Sequence, residues 1–133
     1  MKRTIIFLAL VLCLLFLASC GTQEKTDVFL DGGEVRAVEV SSMPHGYSYS
    51  FSGSEAERVV DYISALHLES SFTEDPNVYT GMTWVVDIEY ADGDTDTVYM
   101  FGNTFIRKGD SDWLKMEYKE AEGFSELLES LDK

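Results

Sequence analysis

Three carboxylates alternate along one short stretch of the chain, at Asp92, Asp94 and Asp96. This spacing begins like the calcium loop of an EF-hand, in which alternate side chains supply oxygen ligands. The sixth position of that loop requires Gly for the turn and the twelfth a bidentate Glu, whereas this chain has Thr97 and Asn103 there. The stretch therefore does not predict an EF-hand. A low-affinity cation site on these three carboxylates remains a hypothesis, beside the plainer interpretation of a solvated acidic turn.

The remaining residue types do not assemble into a known catalytic pattern. The sequence has no Gly-x-Ser-x-Gly, no glycine-rich phosphate loop followed by Lys and no His-Glu-x-x-His. Its two histidines are His45, in a turn, and His67, near a helix end where a protonated imidazole interacts well with the helix dipole. We predict a structural role for His67 rather than metal ligation. We also predict that the domain is not an enzyme and needs no cofactor.

The N-terminus has the pattern of an export signal. Lys2 and Arg3 precede an apolar run from Ile5 to Ala18, which spans 14 residues. A helix that crosses the hydrocarbon core of a bilayer needs about 20 residues, so a retained transmembrane anchor fits less well than a cleaved signal peptide.

The end of this run, Leu17-Ala18-Ser19-Cys20, resembles the lipobox of bacterial lipoproteins. The resemblance implies that Cys20 receives a diacylglyceryl group and becomes the first residue of the mature chain. It also implies a lipid-anchored protein at the extracytoplasmic face of the cell membrane; an unlipidated secreted product is the alternative. Because Cys13 leaves with the signal, the mature domain has no thiol for a disulfide or a metal.

These features divide the chain into three parts. Residues 1–19 form the signal peptide, residues 20–27 the lipidated Cys and a polar tether, and residues 28–133 a single domain. The whole chain has a formal charge of −14, and all of its acidic residues follow the signal. Such a charge repels phosphate backbones and anionic headgroups, so we exclude nucleic-acid binding and a basic membrane-lying helix. It is compatible with simple solubility and with a cationic partner.

Alternating apolar and polar residues predict most of a β-sheet. Asp-Gly at 92–93 predicts a hairpin turn with positive φ at both central residues, Gly102-Asn103 a second tight turn, and residues 108–112 a third. The last four predicted strands then form an antiparallel meander. The strand segments are Val35–Val40, Tyr47–Phe51, Trp84–Tyr90, Thr95–Phe101, Thr104–Arg107 and Trp113–Met116.

Two amphipathic helices are predicted to pack on one face of this sheet. The first begins at Ser54, where Ser54 and Glu57 have the spacing of a capping box, and continues to Leu66. The second covers residues 119–131. Between them, residues 69–82 form a long connection that Phe72, Val78 and Tyr79 would pin to the core.

The predicted fold is therefore α+β, a two-layer sandwich of an antiparallel sheet of about four to six strands with two helices. Several stretches are similar to small uncharacterised lipoprotein domains of Gram-positive bacteria, a likeness that implies location and fold but no functional residues. They are Ser54–Leu66, Gly81–Trp84, Tyr99–Phe105 and Trp113–Met116.

We expect a non-catalytic binding or interaction module that uses an exposed sheet edge or the open sheet face. Its partner would be an extracytoplasmic protein or peptide. The alternatives are a small-ligand or cation sensor or carrier, and a modulator of a cell-envelope enzyme that acts through residues 70–81. Large aromatic side chains that fill the core or stack on a ligand are Tyr79, Trp84, Tyr90 and Trp113.

Overall fold

A computed structural model describes residues 29–30, 32–44 and 46–133 of the chain. It confirms the α+β fold, with a seven-stranded antiparallel sheet and two helices in its second layer. A short 3₁₀ turn covers Pro76–Val78. The helices are α1 (Gly53–Ser64) and α2 (Tyr118–Leu131); the strands are β1 (Val35–Met43), β2 (Ser48–Ser52), β3 (Leu68–Glu69), β4 (Thr83–Tyr90), β5 (Thr95–Phe101), β6 (Phe105–Lys108) and β7 (Leu114–Met116).

The strands lie in the order β2-β1-β4-β5-β6-β7-β3. The predicted meander is confirmed as β4 to β7, in which each strand pairs with the next. The count of seven exceeds the predicted four to six because β3 was not recognised in the sequence. This strand has two residues, too few to show any period, and it forms only where Leu68 and Glu69 pair with Met116 and Lys115 of β7.

The two hairpin turns of the meander differ in backbone geometry. Gly102 and Asn103 have φ of 59° and 53°, and the Thr104 N–H donates to the Phe101 carbonyl across them, as predicted for a two-residue turn. At the preceding turn only Gly93 has a positive φ, 92°, so the prediction of two such residues at 92–93 is wrong. The reason is a wider loop, which the hydrogen bond from the Tyr90 N–H to the Asp94 carbonyl closes.

The main core lies between one face of the sheet and both helices, as the apolar periods predict. Alternate residues of β4 are buried, and buried residues recur at helical spacing along α1 and α2. Each Val, Leu, Ile or Phe among these buried residues stabilises the fold by about 1.5–3 kcal/mol and each Ala by less. The buried residues include Trp84, Val86, Ile88 and Tyr90 on β4, Ala56, Val59, Val60 and Ile63 on α1, and Ala121, Phe124, Leu128 and Leu131 on α2.

The start of α1 differs from the predicted capping box. The N-cap is Ser52 rather than Ser54, and the Ser52 side chain makes no capping hydrogen bond. Gly53, with φ of 56°, turns the chain from β2 directly into the helix. The helix therefore begins before Ser54, which lies inside its first turn.

Tyr62 joins α1 to α2. Its hydroxyl donates to the main-chain carbonyl of Glu120 at 2.5 Å, and its ring contacts that of Phe124. A Cβ at Gly123 would collide with this hydroxyl. Glycine inside a helix costs about 0.5–1 kcal/mol relative to alanine, so the close approach of Tyr62 explains why the position has no side chain.

Candidate functional site

The three aspartates of the acidic turn have separate surroundings. The Asp92 carboxylate accepts from the Asp94 N–H at 3.0 Å. The Asp96 carboxylate accepts from the Tyr90 hydroxyl at 2.9 Å and lies 3.9 Å from Lys108 Nζ, on the face that the helices cover. Among the described residues, no three His, Cys, Asp or Glu side chains form a group that could hold a metal ion.

His67 lies after the end of α1 and is bound by Glu120 of α2. The Glu120 carboxylate accepts from the His67 N–H at 2.8 Å and lies 2.5 Å from its Nδ1. These contacts, first of all the backbone hydrogen bond, lower the pKa of Glu120. The partner of His67 is thus distant in the sequence and could not be predicted from the residues around it. The pair links the end of the first helix to the second helix.

The sheet face opposite the helices, which we call the open face, has a small apolar cluster of its own. Adjacent residues of a strand point to opposite faces of the sheet, and Ile106 of β6 points to the main core. Phe105 therefore points to the open face, yet it is fully buried there. The rings of Phe72 and Tyr79 pack on it with centroids at 5.4 and 5.0 Å, and Trp113 lies 6.5 Å away. We call these residues, with Phe101 next to Trp113, the open-face cluster.

An ion pair and a turn hold residues 70–81 over this cluster. Lys115 Nζ lies 2.5 Å from Glu74 Oε1, and the hydrogen bond between them lowers the pKa of Glu74 and raises that of Lys115. The Asp75 carboxylate accepts from the Asn77 N–H and caps the 3₁₀ turn. Val78 is 73% exposed, so the prediction that it pins the connection is wrong: the turn directs its side chain outward.

The four aromatic residues that were candidates for ligand stacking divide between the two faces. Trp84 and Tyr90 are buried under the helices. Tyr79 and Trp113 belong to the open-face cluster. A fifth aromatic residue, Tyr47, is 55% exposed beside β2 and contacts the Trp84 ring. It lies just before the strand begins, where the helices no longer cover it.

Arg107 borders the open-face cluster. Its guanidinium carbon lies 4.6 Å from the centroid of the Trp113 ring and 5.2 Å from that of Tyr99. Its Nε is buried without a hydrogen-bond partner. No local pattern in the sequence distinguishes this residue, because the rings around it come from β5 and from the segment before β7.

One sheet edge is formed by β2, the strand at the end of the strand order. The Ser42 N–H donates to the Tyr47 carbonyl at 3.1 Å, which sets the phase of the β1–β2 ladder. Hydrogen-bonded pairs alternate in an antiparallel ladder, so Tyr49 and Phe51 bond to β1. The backbone N–H and carbonyl groups of Ser48 and Ser50 and the N–H of Ser52 therefore point away from β1, whereas the Ser52 carbonyl, at the N-cap of α1, belongs to the first turn of the helix.

The fold and these two surfaces define a two-layer α+β domain with a partly covered open face and a five-residue edge strand, β2, whose outer side pairs with no other described strand. Comparison with protein-family models, with curated proteins and with solved structures found no match to this chain. Cys20 and its motif lie outside the described residues, so lipidation stays a prediction. Within the part of the chain that the structure describes, neither helix has the length and apolar character needed to cross a bilayer.

Proposed function

We propose that this protein is a membrane-tethered extracytoplasmic interaction module, without catalytic activity, that captures an extended segment of a partner protein at β2. The observation that carries this proposal is the outer edge of β2, next to which no other described strand lies and at which the backbone groups of Ser48 and Ser50 and the Ser52 N–H point outward. A partner strand that pairs with such a row extends the sheet, and its main-chain hydrogen bonds supply the affinity.

The composition of β2 supports this use of the edge. Proteins usually protect an edge strand from pairing with lysine, proline or a bulge. β2 has the sequence Ser-Tyr-Ser-Phe-Ser, with no charge and no proline. The opposite edge, β3, has only two residues and is too short for the same role.

Charge near the edge favours a basic partner segment. The pKa of Tyr49 in β2 is raised, first by burial and then by the carboxylates of Glu129 and Asp132 at the end of α2. A strand added beside β2 would pass these carboxylates on the helix side of the sheet. Lysine or arginine at alternate positions of the partner would therefore be attracted.

Replacing Ser50 by proline tests the edge. Proline removes an N–H that points outward, so the β1–β2 ladder keeps its bonds while a bound partner strand loses one and meets the ring. We expect the full chain to capture its partner from an extracytoplasmic extract at moderate salt, and Ser50→Pro to reduce the captured amount at least tenfold.

The matched control is Ser50→Ala, which keeps the N–H and removes only the exposed hydroxyl, and which should capture as much as wild type. Circular dichroism must show that both variants are folded. Hydrogen exchange of the wild-type complex should protect the amides of Ser48, Ser50 and Ser52. Undiminished capture by folded Ser50→Pro, or no protection of these amides, would exclude the edge as the binding site.

The tether has its own test. Replacing Cys20 by serine removes the thiol to which the lipid would be attached, and we expect the protein to move from the membrane fraction to the soluble extracytoplasmic fraction. Fractionation and immunoblotting measure this, with Cys13→Ser as the control that leaves the membrane fraction unchanged. Membrane retention of Cys20→Ser would show that the N-terminal pattern has been misread.

A further inference from the structure

Arg107 differs from the other partly buried cations of the described residues. Lys108 and Lys115, which are similarly buried, lie beside the carboxylates of Asp96 and Glu74. Among the described residues, no carboxylate lies at ion-pairing distance from Arg107, and its buried Nε has no hydrogen-bond partner. The rings of Trp113 and Tyr99, and solvent at the terminal nitrogens, offset part of the cost of burying this charge, whereas the buried Nε–H has no acceptor to offset its own cost.

The geometry around Arg107 leaves one side of the guanidinium for a ligand. Trp113 and Tyr99 contact the group through their rings, and Nε is inaccessible. Within the described part of the chain the two terminal nitrogens have no hydrogen-bond partner either, and they are not among its buried unpaired atoms, so solvent reaches them. Two adjacent N–H groups of a guanidinium held by aromatic rings match the two oxygens of a carboxylate.

We propose that Arg107, with Trp113 and Tyr99, forms a binding site for the C-terminal carboxylate of a peptide that ends in an apolar residue. The carboxylate pairs with the two terminal nitrogens of Arg107. The apolar side chain of the last residue packs on the half-buried rings of Trp113 and Phe101, which lie next to each other at 6.3 Å. Aromatic residues and arginine are the side chains that contribute most to protein–peptide binding.

This site is separate from the β2 edge. Arg107 lies on β6, four strands from β2 in the sheet order. At about 4.8 Å per strand, the two surfaces are on the order of 19 Å apart. The carboxylate site therefore does not depend on the proposed capture of a partner strand, and each can fail without the other.

The test compares two synthetic peptides on the purified full chain by isothermal titration calorimetry. One is acetyl-Ala-Ala-Phe with a free carboxylate, and the other is the same peptide with a C-terminal amide. We expect the acid to bind at least tenfold more tightly than the amide. Equal affinities, or no binding of the acid at millimolar concentration, would overturn the proposal.

Variants then assign the binding to Arg107. Arg107→Gln should weaken the binding of the peptide acid at least tenfold. Arg107→Lys should weaken it several-fold, because lysine keeps the charge but lacks the two parallel N–H donors of the guanidinium. The control is Arg58→Gln, which removes an exposed cation of α1 and should bind like wild type. Wild-type affinity in folded Arg107→Gln would exclude the site.

Inorganic phosphate distinguishes another anion from the carboxylate. If phosphate displaces the peptide acid at lower concentration than acetate does, the site recognises phosphate and the proposal is wrong. If Arg107→Gln does not fold, Arg107→Lys and the wild-type comparison of acid with amide still decide between the outcomes.

Discussion

Replacing Phe105 by alanine is expected to lower the free energy of unfolding by about 3–5 kcal/mol. Phe105 is fully buried on the open face, where it contacts the rings of Phe72, Tyr79 and Trp113. Removing the ring takes away its transfer free energy and leaves a cavity that the three neighbours cannot all close. A domain of this size is stable by about 5–15 kcal/mol, so the loss is a large part of the total.

Urea denaturation followed by circular dichroism measures this change, with Val78→Ala as the control in the same connection. Val78 is 73% exposed, and its truncation should change the stability by less than about 0.5 kcal/mol. Hydrogen exchange should also become faster at residues 70–81 of Phe105→Ala, because the connection loses the side chain to which it is anchored. Equal effects of the two substitutions would mean that the open-face cluster is not packed as described.

The helix-covered face could be predicted from the sequence because apolar residues recur at regular spacing in both the strands and the helices that form it. Alternation along β4 and the helical stripe of α2 each identify buried residues without any knowledge of their partners. The turn at Gly102-Asn103 was predictable for a similar reason, since the required backbone conformation favours those two residues. These are local properties of the chain.

The open face could not be predicted in this way. Phe105 belongs to a strand of four residues, and what buries it is a connection without regular structure that returns over the sheet. The positions of Phe72 and Tyr79 over Phe105 do not follow from any repeating pattern of apolar residues in the sequence. The identity of β2 as the free edge also required the strand order, in which β1 pairs with the distant β4.

The candidate-site residues likewise divide into those visible in the sequence and those that only the tertiary structure reveals. The carboxylates at 92–96 are conspicuous in sequence, but the fold directs Asp96 to Tyr90 and Lys108 instead of to its two neighbours. Arg107 is inconspicuous in sequence, and its unpaired state is visible only where the surrounding side chains are known. Charge composition predicts the overall field of the domain, whereas the position of a charge without a partner depends on the tertiary structure.

Replacing Phe124 by alanine is expected to lower the free energy of unfolding by about 3–5 kcal/mol and to release α2 before the rest of the domain unfolds. Phe124 is fully buried, and its ring contacts Trp84 of the sheet at 6.2 Å and Tyr62 of α1 at 5.9 Å. Its ring therefore contacts both the sheet and the first helix. Ala121, Leu128 and Leu131 of α2 are buried in the same core, and Glu120 adds hydrogen bonds to Tyr62 and His67.

Thermal unfolding and hydrogen exchange measure this effect, and Glu122→Ala is the matched control on the exposed side of the same helix. The control should leave the stability within about 0.5 kcal/mol of wild type. For Phe124→Ala we expect Tm to fall by roughly 4–8 °C per kcal/mol lost, with exchange rising first in residues 118–131. If those amides keep wild-type protection, the docking of α2 does not depend on Phe124. Retained protection would then mean that Ala121, Leu128 and Leu131, together with the hydrogen bonds of Glu120 to Tyr62 and His67, suffice to hold the helix in place.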